Sequence, residues 1–102
     1  MIAYTPEARR QVDDLAEHYE RKQRPEAVRN LGAALARAET LIENRASRAR
    51  AFPATYRSLA RPGRAWLKEG IYWIAFEQGP SPVIVAVFWE QAAIERRYPL
   101  MT

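Results

Sequence analysis

Residues 71–89 read IYWIAFEQGPSPVIVAVFW, and this stretch decides the fold. Its two ends, residues 71–77 and 83–89, are rich in aromatic and β-branched side chains, which favour strands. The residues between them, QGPSP, have the composition of a turn. Residues 64–69 alternate loosely before Gly70, which allows a bend. Consecutive short strands with no helix between them predict an antiparallel meander.

Two amphipathic helices are predicted ahead of these strands. Thr5 can cap the first helix, Pro6 suits its first position, and Glu7 complements the positive end of the helix dipole. Pro25 disfavours helical geometry in the residue before it, so the first helix should end near residues 22–24. Pro25 then begins the second helix, which should end near Asn44. Apolar residues recur every three or four positions in both helices: Ala8, Val12, Leu15, Ala16 and Tyr19, then Val28, Leu31, Leu35, Ala38 and Ile42.

The predicted class is therefore α+β. Residues 1–4 are interpreted as a short edge strand, and the tightly joined helices form an antiparallel hairpin packed on one face of a small antiparallel sheet. A chain of 102 residues is long enough for one core, so we expect a single domain over residues 1–102.

Both faces of the last two strands are apolar, and helices can cover only one of them. If side chains alternate strictly, residues 71, 73 and 75 lie on one face of their strand and residues 72, 74 and 76 on the other. In the last strand, residues 83, 85, 87 and 89 then lie on one face and residues 84, 86 and 88 on the other. The second face must be covered by the C-terminal segment, by a second copy or by a partner. We expect a partner to contact the large side chains, several of which would be exposed in the free chain: Tyr72, Trp73, Phe76, Phe88 and Trp89.

Charge is strongly polarised along the chain. Residues 45–68 carry seven cations and no acid, whereas the rest of the chain sums to −3 and the whole to +4. Such a field attracts an anionic partner, either nucleic acid or an acidic protein surface. The alternative is an ordinary solvated loop. Cations lie near aromatic residues in two places. Arg57, Arg61, Arg64 and Lys68 lie near Tyr56 and Trp66, and Arg96 and Arg97 come directly before Tyr98.

Several chemistries find no support in the sequence. There is no cysteine, no metal-binding spacing and no glycine-rich phosphate loop, and the single histidine, His18, lies in the middle of a predicted helix. We therefore expect neither cofactor nor metal. The longest apolar run, residues 83–89, is too short to span a bilayer and no signal peptide is visible, so we expect a cytoplasmic protein that does not bind membranes.

The order of these parts resembles the RelE/ParE superfamily of toxins from type II toxin–antitoxin systems. The resemblance covers nearly the whole chain and rests on Tyr-Thr-Pro-Glu-Ala at residues 4–8, the hairpin, the basic loop and the two final strands. It implies a small α+β toxin that arrests growth and is neutralised by an antitoxin from the adjacent gene, forming a hetero-oligomer. The antitoxin-binding residues would be Tyr72, Trp73, Phe76, Phe88, Trp89 and Lys68.

The family divides by target. In its nuclease branch an arginine typically follows the central-strand tyrosine, and basic residues or a histidine follow the last strand. Here Trp73 follows Tyr72, and Glu90 to Ala93 follow Trp89. This departure favours the ParE-like branch, typical of plasmid stabilisation systems, whose members inhibit DNA gyrase by binding. Typical ParE members also carry a His- or Arg-rich ending just after the last strand, and this chain lacks one at that place. The target-binding set would be Arg57, Arg61, Arg64, Arg96, Arg97 and Tyr98.

Two alternatives stay open. The first is a RelE-like ribosome-dependent mRNA endoribonuclease that uses Arg64, Lys68 and Arg97 around Tyr98. The second is a degenerate member that binds its antitoxin without being toxic.

Overall fold

The computed structural model describes residues 2–44, 49–53 and 57–89. The elements are strand β1 (Ala3–Tyr4), helices α1 (Pro6–Arg21) and α2 (Pro25–Glu43), a 3₁₀ turn (Arg57–Leu59), and strands β2 (Arg64–Glu69), β3 (Tyr72–Glu77) and β4 (Val83–Trp89). They confirm the predicted α+β class and the short N-terminal edge strand. The strand order is β1-β4-β3-β2, in which β1 runs parallel to β4 and the other neighbours are antiparallel.

Local signals determine both ends of α1. The Thr5 hydroxyl accepts a hydrogen bond from the Ala8 amide at 3.1 Å, and Pro6 occupies the first turn, as predicted. At the other end Gln23 has a left-handed φ of 54°, and the Arg24 amide donates to the Tyr19 carbonyl at 2.9 Å. This is the hydrogen-bond pattern of a Schellman cap, which normally has glycine at the left-handed position. It turns the chain directly into α2.

The two helices cover one face of the sheet. Their predicted apolar residues form the main core, in which Leu15, Ala16 and Val28 are only partly buried. Ala27 and Ala34 of α2 are buried there as well, although the periodicity did not select them. Strands β2, β3 and β4 also contribute residues to this core: Ala65, Leu67, Tyr72, Ile74, Phe76, Ile84 and Val87.

The second sheet face has a core of its own. Leu59, from the 3₁₀ turn, packs with strand residues of all three antiparallel strands: Trp66, Trp73, Ala75, Ala86 and Phe88. The expectation of large exposed side chains is wrong for Tyr72, Trp73, Phe76 and Phe88, each of which is 2–6% exposed. The basic stretch itself supplies Leu59 to this face. The alternative of cover by the C-terminal segment concerns residues 90–102, which lie outside the described residues.

A β-bulge corrects the predicted alternation of β4. Ala75 lies opposite Ala86, but Phe76 lies opposite Ile84, so Val85 is the extra residue. As a result Ile84 and Val87 share the helix-covered face, whereas strict alternation assigned them to opposite faces. The Gln11 side chain of α1 is 6% exposed, and its Oε1 accepts a hydrogen bond from the Val87 amide at 2.7 Å.

Candidate functional site

The second sheet face ends in a row of cations along β2. Directly paired residues of antiparallel strands have their side chains on the same face. Three such pairs join β2 to β3 on this face: Arg64 lies opposite Glu77, Trp66 opposite Ala75, and Lys68 opposite Trp73. On this face β2 therefore carries Arg64 and Lys68 on either side of Trp66, and β3 carries Trp73 opposite Lys68.

Arg50 extends this face beyond β2. Its amide and carbonyl both hydrogen bond to the backbone of Trp66, each at 2.7 Å, in an antiparallel bridge. The bridge sets the Arg50 side chain on the same face as Trp66. Its guanidinium carbon lies 5.9 Å from the centre of the Trp73 ring and 6.0 Å from that of Phe52. These cation–π contacts hold an exposed charge above the second core.

Arg57 converges on the same aromatic ring. Its guanidinium carbon lies 5.8 Å from the centre of the Phe52 ring, and the residue is exposed. Two guanidinium groups are thus held against one ring. Both residues are exposed, and Arg can bind a carboxylate or phosphate through two N–H donors at once. We call Arg50, Arg57 and Lys68 the basic face.

Arg61 and Arg64 contact identified groups of the protein itself. Arg61 is exposed, but its Nη1 donates to the carbonyls of Ser58 and Ala60, both at 2.9 Å. Arg64 is more strongly held, since its Nη2 and Nε contact the two Glu77 carboxylate oxygens at 3.0 and 3.4 Å. The Arg64 side chain is only 15% exposed, so Glu77 offsets most of its charge within the fold.

Only part of the predicted target-binding set can be located. Arg57 lies in the 3₁₀ turn, Arg61 just after it, and Arg64 at the start of β2. Arg96, Arg97 and Tyr98 lie outside the described residues. Sequence reasoning missed Arg50 as a site residue, because only its bridge to Trp66 determines which face it joins. The spacing of Arg50 and Phe52 by two residues is the signal that could have indicated a strand-like segment.

The predicted antitoxin-binding set separates by exposure. Tyr72, Trp73, Phe76 and Phe88 are buried in the single chain, so a partner could not reach them without displacing other residues. Lys68 is exposed, and Trp89 is 41% exposed. Ile71, at 45%, is the other large exposed apolar residue of the described segments and was not selected from the sequence.

The buried Tyr72 hydroxyl has a specific partner. It forms a hydrogen bond with the hydroxyl of Tyr19 at 2.5 Å, which joins β3 to α1. Burial, followed by this hydrogen bond, raises the pKa of Tyr72 well above its usual range. The phenol is therefore neutral and can act as a donor at physiological pH.

The described residues suit binding of an anion more than metal chemistry. They contain no group of three side chains able to hold a metal ion. No helix among them combines the length and the apolar character needed to cross a bilayer. The exposed cations over aromatic rings instead form a fixed surface for phosphate or carboxylate groups.

No family model matches the chain, and a search of curated proteins finds no similar sequence. The family resemblance therefore depends on the residues and on the order of the elements.

Proposed function

We propose that this chain is the toxin of a type II toxin–antitoxin system, of the ParE-like kind, and that it inhibits DNA gyrase by binding to it. The observation that carries the proposal is the basic face. The acid-free stretch supplies Arg50 and Arg57, which are both exposed and both held against Phe52. A positively charged surface on a small α+β domain suits a binding inhibitor whose target holds DNA or exposes carboxylates.

The choice of gyrase over mRNA cleavage rests on the position after Tyr72. Where the nuclease branch typically has an arginine, this chain has Trp73, which is 5% exposed and lies in the second core. An indole in that place supplies neither a group that transfers a proton nor a charge that stabilises the scissile phosphate.

An antitoxin would complement two surfaces. Acidic residues of the antitoxin would face Arg57 and Lys68, and its apolar residues would cover Trp89 and Ile71, both of which are more than 40% exposed. We expect a hetero-oligomer whose affinity falls as salt rises, because the cations lie in solvent.

The test is a supercoiling assay with purified gyrase and relaxed plasmid. We expect micromolar chain to block supercoiling and to accumulate cleaved DNA, and the product of the adjacent gene to restore activity. Unchanged supercoiling at micromolar chain would contradict the gyrase proposal. Absence of growth arrest after induction in cells would instead favour the degenerate, non-toxic member.

A second candidate is the ribosome-dependent endoribonuclease. It is favoured by Lys68 and Arg50, which approach Trp73 from a neighbouring strand and from the bridge segment. Proteins that bind single-stranded nucleic acid typically have cations beside an exposed aromatic ring on which a base stacks. Here the Trp73 ring is buried. Primer extension on mRNA from an in vitro translation reaction separates the two: cuts located at codons would support the nuclease, and intact mRNA would exclude it.

A further inference from the structure

A cavity of about 340 Å³ lies where the helical hairpin meets the end of the sheet. Its apolar lining residues include Leu15, Ile71 and Trp89. These include the two large apolar residues that are more than 40% exposed. The volume is near the lower end for small-molecule pockets, which measure about 300–1,000 Å³, and it suits a ligand with a single ring.

The same lining supplies hydrogen-bond donors. It includes Arg24, His18 and Asn30, together with Tyr19 and Tyr72. The two hydroxyls share one hydrogen in their mutual bond, so the second hydroxyl hydrogen can be donated to a ligand in the cavity. Burial, followed by the hydrogen bond to Tyr19, raises the pKa of Tyr72, so its hydroxyl keeps its hydrogen at neutral pH.

The charge of the cavity is positive. None of the described residues that line it carries a carboxylate. The Arg24 guanidinium lies over the Tyr19 ring, 5.8 Å from its centre. Its ion pair with Glu26 spans 3.6 Å, and both side chains are more than half exposed, so the pair is weak and can rearrange.

We infer that this cavity binds a small organic anion, a carboxylate attached to one ring or to a branched aliphatic group. The carboxylate is bound by Arg24 and by the free hydrogen of the tyrosine pair. The ring packs between Ile71 and Trp89, which it removes from water. This site is distinct from the basic face and does not depend on the proposed toxin function.

The test uses 3-phenylpropionate as the probe and the full chain as the protein. The chain has three tryptophans, and the indole N–H signal of Trp89 in a ¹H–¹⁵N spectrum is assigned by its loss in Trp89→Phe. We expect the Trp89 signal to shift on titration, with a dissociation constant of about 1 mM or lower. The indole signals of Trp66 and Trp73 should shift little, because both residues are buried in the second core.

A ligand of opposite charge and single-residue variants distinguish this site from non-specific binding. The amine 3-phenylpropylamine has the same ring and the opposite charge, and we expect it to bind at least tenfold more weakly. Arg24→Gln should weaken binding of the acid by about fivefold or more. Arg10→Gln, at an exposed position paired with Glu7 on α1, should leave it unchanged.

Three results would overturn the inference. They are equal binding of the amine and the acid, no shift of the Trp89 signal up to 10 mM acid (roughly tenfold above the expected dissociation constant), and an Arg24→Gln variant that binds as well as the parent. Gyrase inhibition plays no part in this experiment, so its outcome is independent of the proposed function.

Discussion

Gln11 joins helix α1 to the bulged strand β4, and its removal tests the energetic value of that contact. The bulge interrupts regular pairing near Val85, and the Val87 amide donates to the Gln11 Oε1 at 2.7 Å in a buried position. Gln11→Met keeps the length and the helix propensity of the side chain but removes the acceptor. Because methionine fills a similar volume, it leaves no large cavity.

The expected loss follows from the unsatisfied amide. A buried donor without a partner costs about 1–3 kcal/mol, so we expect the free energy of unfolding of Gln11→Met to fall by that amount. For a domain of this size the melting temperature should fall by roughly 5–20 °C. The Val87 amide should also lose protection from hydrogen exchange.

Urea unfolding followed by far-ultraviolet circular dichroism measures the change, with the slope m expected to be unaltered. Arg10→Met is the matched control, since Arg10 neighbours Gln11 but its ion pair with Glu7 is largely in solvent. That pair is worth about 0.5 kcal/mol or less. If Gln11→Met and Arg10→Met lose the same small free energy, then Gln11 does not stabilise the bulged strand.

Three further changes test other parts of the fold. Gln23→Gly should raise the free energy of unfolding by about 0.5–1 kcal/mol in urea titration, because φ is 54° there and glycine adopts it without strain; a loss would contradict the Schellman cap. Leu59→Ala should lower it by about 2–5 kcal/mol, since Leu59 is 1% exposed in the second core, and a loss below 1 kcal/mol would mean that the 3₁₀ turn packs loosely. Burial and the Tyr19 hydrogen bond raise the pKa of Tyr72, so its stabilising contribution is complete below the unfolded value near 10 and is lost as pH rises above it. Tyr72→Phe should therefore reduce the fall in the free energy of unfolding between pH 10 and 12 by up to about 1.4 kcal/mol per pH unit. Urea unfolding at each pH measures this fall. If the free energy falls equally steeply in the variant and the parent, Tyr72 ionises as readily in the folded chain as in the unfolded chain.

The helices and strands were predictable because their signals are local. Thr5 and Pro6 fix the start of α1 whatever the rest of the chain does, and Pro25 fixes the start of α2. The turn at residues 78–82 separates two runs of strand-forming residues by composition alone. Each of these elements begins or ends within a residue or two of its predicted limit.

Long-range register decided what the sequence could not predict. Nothing in residues 83–89 indicates that Val85 bulges, because the run is apolar at every position and either face could accept it. The position of Arg50 depends on a backbone bridge to Trp66, sixteen residues away along the chain. Gln11 lies outside the predicted apolar stripe, and its partner is the Val87 amide, 76 residues away along the chain.

The central claim is that the location of the cations, beyond their number, directs this chain to its target. The most direct measurement compares two double variants of equal net charge in the gyrase supercoiling assay: Arg50→Gln with Arg57→Gln on the basic face, and Arg10→Gln with Arg29→Gln at exposed positions on the helices. The first pair should raise the concentration for half-inhibition by about tenfold or more, since hydrogen bonds to charged groups are worth about 1.5–3 kcal/mol each. The second pair should leave it within about twofold of the parent, because exposed helix charges act only through the screened general field. Equal effects of the two pairs, or no inhibition by the parent chain, would contradict the account.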